Sequence, residues 1–207
     1  MPSSEDTTIC VATFGGTEWV DLANTRAIPS ATATGATVLH HHGDTIHETR
    51  TALLEKVTTE FVVFLDADDE LEPGYLEHME SSTADIMVPA VRFIWPGADI
   101  PQEAEIPQVG GHRHDCGGVC LTNGNWIVIG AVCRTAMAKA VGWREWERYE
   151  DWDFWWRLWQ AGATVERVPK SVYRAYVRLD SRNNIGTKED QLRTFGQIVA
   201  ANQAGNR

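Results

Sequence analysis

Apolar positions in this chain come in short blocks, and the spacing within each block differs. Residues 8–14 are apolar and β-branched and break at Gly15-Gly16, the pattern of a buried strand ending in a loop. Residues 36–40 predict a second short strand. Residues 47–57 place Arg50, Leu53, Leu54 and Val57 at helical spacing. The run Phe61-Val62-Val63-Phe64-Leu65 is too short for a helix and does not alternate, as expected of a strand covered on both faces. Strand, helix and strand in that order predict a parallel α/β sheet.

Further along, residues 70–77 look like a helix entry, with Pro73 near the first turn and acids that complement the helix dipole. Residues 86–93 predict another strand. From 95 to 125 the composition shifts to Pro, Gly, Gln and His, which predicts a long surface loop or lobe. Residues 126–133 are apolar again. Short helices are expected over 135–141, ending at Gly142, and over 151–161, ending at Gly162. A weakly amphipathic stretch over 188–200 predicts a closing helix. No repeat interrupts this order.

With 207 residues, 43% of them apolar, the chain has material for one core, so 1–207 is expected to form a single domain. A net charge of -11 argues against nucleic acid or an anionic membrane as partner, since phosphate would be repelled. No stretch is long and apolar enough for a membrane span or an export signal. The four cysteines are irregularly spaced and read as reduced thiols, so a cytoplasmic setting is expected. The cluster His112, His114, Cys116 and Cys120 has zinc-type ligands, but no second pair completes a tetrahedral site, and a Gly-rich loop is the expected reading. The oligomeric state is left open.

The chemistry concentrates after the buried run, where Asp66, Asp68 and Asp69 fall at the carboxyl end of a strand. Ligands of open α/β sheets bind at that end. Two Asp one residue apart can share a hard cation, Mn²⁺ or Mg²⁺, with open positions left for phosphate. Taken alone, such a pair is more readily an acidic turn with a helix-capping Asp.

The segment Phe64-Leu65-Asp66-Ala67-Asp68-Asp69, followed by Glu72-Pro73-Gly74-Tyr75-Leu76, resembles the Asp-x-Asp segment of the inverting family 2 glycosyltransferases. That resemblance implies an α/β fold of GT-A type: a single Rossmann-like domain with a mostly parallel central sheet flanked by helices. It also implies a nucleotide-sugar donor, with UDP the commonest nucleotide of the family. Asp68 would hold the metal, Asp66 would contact the ribose or the metal shell, and Ala67 would lie between them. Thr13-Phe14-Gly15 looks like the end of the family's first strand, where the base rests. Arg50 stands where the family often has an Arg supporting the donor site, and Asp44 stands in for a base-contacting Asp.

A second match strengthens the first. Glu150-Asp151-Trp152-Asp153-Phe154-Trp155-Trp156-Arg157-Leu158 resembles the same family's Glu-Asp helix. The resemblance implies Asp151 as the base that deprotonates an acceptor hydroxyl, with Glu150 as a supporting acid. On a helix Asp153 and Arg157 should pair, and the Trp152, Trp155, Trp156, Trp159 stripe is expected to be core. Trp143 and Trp146 precede the helix, and either could stack on an acceptor sugar. Where many members carry a His that reaches the metal or diphosphate, this chain has Arg178, whose fork suits a diphosphate.

The expected division is a nucleotide-sugar half over 8–95, an acceptor and catalytic half over 96–181, and a helical tail over 182–207. The lack of a Gln-x-x-Arg-Trp motif and of a membrane helix points to a single-addition transferase, and with no basic or amphipathic membrane surface a glycan or protein hydroxyl is the expected acceptor. Competing readings are a phosphatase of the haloacid dehalogenase type, with Asp66 as nucleophile, a nucleotidyltransferase of related fold, and a sugar-binding relative without turnover. The first lacks its usual Gly-Thr, since Asp69-Glu70 follow Asp68. The second lacks cations at Thr13-Phe14-Gly15-Gly16.

Overall fold

A computed structural model describes residues 1–95, 121–122, 124–178 and 186–204. Strand β1 (Thr7–Phe14) is buried along nearly its whole length because parallel neighbours flank it: β2 (Thr37–Gly43) on one side and β3 (Phe61–Asp66) on the other. Both β1 and β3 read as unbroken apolar runs, as strands covered on two faces must. Helix α3 (Ile46–Lys56) makes the crossover between β2 and β3, entered through Thr45, whose hydroxyl accepts from the Glu48 amide.

The remaining strands are β4 (Glu70–Leu71), β5 (Ile86–Ile94), β6 (Val132–Arg134) and β7 (Val165–Tyr176), and the sheet runs β2-β1-β3-β6-β5-β7-β4. Short β6 lies antiparallel to both β3 and β5, so it joins the parallel unit β2-β1-β3 to a second parallel pair, β5-β7. Three of the six pairings are parallel and three antiparallel. The expected α/β architecture of GT-A type is present, but the sheet is evenly mixed rather than mostly parallel: parallel order is confined to β2-β1-β3 and β5-β7, with β6 antiparallel between them and β4 antiparallel at the edge.

Two parts of the chain differ from the expectation. The stretch after Asp69 is not a helix entry: β4 pairs with β7, Gly74 turns with φ 80°, and only a 3-10 turn, Glu77–Met79, follows. Gly74 can take that left-handed conformation without a Cβ clash, and a helix cannot run through it. In addition, helices α1 (Glu18–Thr25) and α2 (Ala27–Thr32) fill a stretch for which no element was expected. Each is short, and together they bury only the small side chains Ala23, Ala27 and Ala31, which leave no apolar stripe to read.

Helix α4 (Thr135–Val141) ends at Gly142 as expected, and α5 (Glu150–Gln160) carries the aromatic core. Trp152, Trp155 and Trp156 are fully buried, and Asp153 pairs with Arg157 at 2.8 Å. The closing helix α6 (Lys188–Ala204) clamps α5: Phe195 stacks on Trp152 at 4.6 Å, and the Asn202 amide donates to Asp153 Oδ1 at 2.8 Å. Cys10 and Cys133 are buried free thiols, while the His112 to Cys120 cluster lies outside the described residues. Among the described residues, no helix is long and apolar enough to cross a membrane.

Candidate active site

At the carboxyl ends of β1 and β3 the sheet opens into one cleft with a volume of about 370 Å³. Thr13 and Phe14 of β1, Arg50 of α3, and Asp66 to Asp69 form one side; Glu150, Asp151 and residues 125–129 face them. The two acidic motifs are 84 positions apart in sequence and share this space. A single buried side chain connects them. Arg50, 3% exposed, donates through Nη2 to Asp66 Oδ1 and through Nη1 to Glu150 Oε1, each at 2.8 Å. Burial works against the Arg50 charge, but Asp66 and Glu150 outweigh it and raise its pKa. The guanidinium also lies over the Trp143 ring, 4.8 Å from its centroid.

The turn after β3 carries three carboxylates with different surroundings. Asp69 faces inward, where its two oxygens accept from Tyr173 Oη at 2.6 Å and from the Tyr176 amide at 2.8 Å. Burial, then the charges of Asp68 and Asp66, push its pKa well up. Asp68 lines the cleft, and Arg26 fastens its backbone carbonyl at 2.7 Å while stacking on the Tyr176 ring. Burial, then the neighbouring Asp66, push the Asp68 carboxyl up to about 6, against the opposing pull of Arg178 and Arg26. Crowded carboxylates of this kind lose their mutual repulsion when a cation joins them.

The donor set therefore fits a hard divalent ion. Asp66 and Asp68 can supply two carboxylates, and Mn²⁺ or Mg²⁺ typically fills its other positions with water and phosphate oxygens. Among the described residues, no group of three or more His, Cys, Asp and Glu converges as a protein-only metal site.

Across the cleft, Asp151 is the second residue of α5. Its Oδ1 accepts from the Trp152 amide at 2.9 Å and its Oδ2 from the Asn125 side-chain amide at 2.7 Å, so both oxygens are fixed in direction. Burial, then the charge of Glu150, raise the Asp151 pKa to about 7, with Arg50 opposing. A carboxyl poised there can exchange a proton near neutral pH. Tyr149, directly before α5, sits at φ 61°, and it is the one non-glycine residue with positive φ among the described residues. Such a conformation costs on the order of 1 kcal/mol and survives where the surroundings impose it.

The expected site residues divide as follows. Thr13, Phe14, Arg50, Asp66, Ala67, Asp68, Glu150 and Asp151 all line the cleft. Gly15 and Asp44 are absent from its lining: Gly15 turns away past the end of β1 with φ 75°, and Asp44 is exposed between β2 and α3. Arg178 lies over the Trp19 ring, 4.9 Å from its centroid, in a depression that adjoins the cleft through Trp19. The expectation of exposed indoles at Trp143 and Trp146 is corrected. Trp143 is 8% exposed, stacks on Phe154 at 4.1 Å and packs edge-on to Phe64, while Trp146 packs against the core; neither lines the cleft. Sequence reading missed Asn125, which orients Asp151, and Tyr173, which holds Asp69. Asn125 lies at the edge of a Gly- and Asn-rich loop with no pattern to single it out.

Strand β3 ending on a carboxylate turn beside the end of β1, with an acid-bearing helix across one cleft, is the layout of a GT-A-type fold. Residues 23–93 match the family model described as Glycosyl transferase family 2. Among solved structures, a TarS fragment, residues 1–349, from S. aureus in complex with UDP-GlcNAc is 15% identical with a TM-score of 0.63, covering 95% of this chain and 66% of that one. The same fragment with UDP is 14% identical with a TM-score of 0.62, covering 95% and 65%. Another S. aureus TarS structure is 15% identical with a TM-score of 0.56, covering 84% and 37%. The chain thus spans about two thirds of the length of the TarS fragments. No curated protein matches the sequence. The family match covers residues 23–93, about a third of the chain, and the solved structures share its fold.

Proposed function

We propose that this chain transfers a sugar from a nucleotide-diphosphate donor, a UDP-sugar, to a hydroxyl on a glycan or protein, with inversion at the anomeric carbon. The observation that carries the reading is the buried Arg50 bridge, which ties Asp66 to Glu150 beside Asp151 within one cleft. The UDP and UDP-GlcNAc bound by the TarS fragments favour a uridine donor.

In this reading Thr13 and Phe14 bound the nucleotide end, and Asp66 and Asp68 hold Mn²⁺ or Mg²⁺. A divalent ion, when bound, offsets the negative charge that builds on the leaving diphosphate. Arg50 keeps Asp66 aimed. Asp151, oriented by Asn125 and the Trp152 amide, accepts the proton of the acceptor hydroxyl. The acceptor oxygen then forms its bond to the anomeric carbon on the face opposite the diphosphate, and the bond from that carbon to the diphosphate oxygen breaks. Glu150 stays paired to Arg50 and steadies the start of α5. The division into a nucleotide half over 8–95 and an acceptor and catalytic half over 96–181 belongs to this proposal, as does Arg178 as a diphosphate contact. The phosphatase alternative needs Asp66 free to attack, whereas Arg50 engages it at 2.8 Å.

The test is a panel of nucleotide sugars screened for thermal stabilisation with Mn²⁺, followed by detection of slow donor hydrolysis. Stabilisation by one UDP-sugar, dependent on Mn²⁺ and lost in Asp68→Ala, is expected. Equal stabilisation without the metal, or none by any nucleotide sugar, would contradict the reading.

A further inference from the structure

We propose that Arg26 and Tyr176 are positioning residues for the cation site at the turn after β3: together they hold Asp68 where its carboxylate can take a divalent ion. The inference deepens the transferase reading and rests on its metal assignment. The fully buried side chains of α1 and α2 are Ala23, Ala27 and Ala31, so apolar burial anchors this helix pair only weakly. Polar contacts fasten it as well, and they reach one short stretch of chain. At the joint of the two helices Arg26 Nη1 donates to the Asp68 carbonyl at 2.7 Å, and in α2 Ser30 Oγ accepts from the Leu71 amide at 3.2 Å. The two contacts bracket Asp69 and Glu70.

Strand β7 grips the same stretch. Its Tyr173 hydroxyl and Tyr176 amide donate to the two oxygens of Asp69, at 2.6 Å and 2.8 Å, and the Tyr176 hydroxyl donates to Glu70 Oε2 at 2.9 Å. Arg26 joins the two supports, for its guanidinium lies 3.7 Å from the centroid of the Tyr176 ring while it holds the Asp68 carbonyl. With that carbonyl committed to Arg26 and the next residue, Asp69, bonded through both oxygens to β7, the backbone of Asp68 has little freedom, and Asp68 lines the cleft. Side chains that orient a metal ligand in this way never touch the ion, yet removing one typically costs about 10- to 100-fold in metal affinity. The helix pair α1-α2 thereby gains a task that its own sequence does not announce.

The experiment measures Mn²⁺ binding to the full chain, without donor, through the loss of the free ion's electron paramagnetic resonance signal, with thermal denaturation run on each protein. Wild type should bind an ion that Asp68→Ala does not. Arg26→Met and Tyr176→Leu should each weaken that binding about tenfold or more. The two lie in different elements, so a folding failure in one leaves the other to decide. Tyr176→Phe keeps the ring and the backbone amide, and it should bind within about threefold of wild type. A purely structural role would lower Tm and leave the Mn²⁺ affinity of the folded protein unchanged. Mn²⁺ binding that Asp68→Ala abolishes but that a folded Arg26→Met or Tyr176→Leu retains at wild-type strength overturns the assignment and leaves the metal site in place. Absence of any Mn²⁺ binding that Asp68→Ala removes overturns the metal reading, and the assignment with it.

Discussion

The turn after β3 and the start of α5 each place two acids on the same cleft, yet the physical demands on them are opposite. At the turn, Asp66 and Asp68 crowd together, and burial with repulsion lifts Asp68 to about 6. That site gains from an added cation. At α5, Asp151 stands beside Glu150, which Arg50 already neutralises, and burial lifts Asp151 to about 7. That site needs no cation and is matched to taking a proton near neutral pH. In the proposed reading, two pairs of carboxylates are set to different tasks by what surrounds them, and Arg50 is the element they share.

The comparison can be broken at several points. Replacing Asp151 by Asn should have the largest effect: transfer falls by about 10³-fold or more, the scale of a lost general base, while donor binding persists. Steady-state kinetics beside calorimetric titration of the donor separates the two. Next, Arg50→Met removes the buried cation and leaves Asp66 and Glu150 uncompensated, at about 3–5 kcal/mol. Thermal denaturation should show a Tm lower by about 10 °C, with part of the loss recovered in Arg50→Met combined with Glu150→Gln.

The pH dependence has two parts with opposite signs. If Asp151 is the base, as proposed, it acts ionised, and kcat/KM should rise about tenfold per unit as pH approaches about 7 from below, then level off. Because the folded chain holds the Asp151 proton that the unfolded chain releases near 4, this group's contribution to stability should fall as pH climbs from the ordinary carboxylate range through about 7. Denaturant titrations of wild type and Asp151→Asn should diverge over that window, with the variant gaining relative stability. A smaller effect is expected at Asn202→Ala, which unclamps α6 from Asp153 at about 1–2 kcal/mol without involving either acid.

Much of this arrangement was legible in the sequence because it rests on short-range patterns. The apolar runs of β1 and β3, the helical spacing at Arg50, Leu53 and Leu54, and the resemblance of both acidic segments to one family brought the fold and eight cleft residues together. What escaped depends on tertiary contacts. Whether Trp143 is exposed is decided by Phe64 and Phe154, which close over it from elsewhere in the chain. Asn125 acquires its role only because the segment before β6 brings it to 2.7 Å from Asp151. The helix expected after Asp69 gave way to β4 because pairing with β7 and the left-handed turn at Gly74 outweighed the local preference of Pro73 and its acids. Strand β5, expected in the nucleotide half, contributes Val91 and Phe93 to the cleft.

The most direct test of the central claim compares Asp68→Ala and Asp151→Asn side by side, titrating each with a UDP-sugar in the presence and absence of Mn²⁺ and then following transfer. The account predicts that Asp68→Ala loses the Mn²⁺-dependent part of donor binding, and that Asp151→Asn binds donor like the wild type yet does not transfer. Donor binding in Asp68→Ala that still responds to Mn²⁺, or transfer by Asp151→Asn at the wild-type rate, would contradict it.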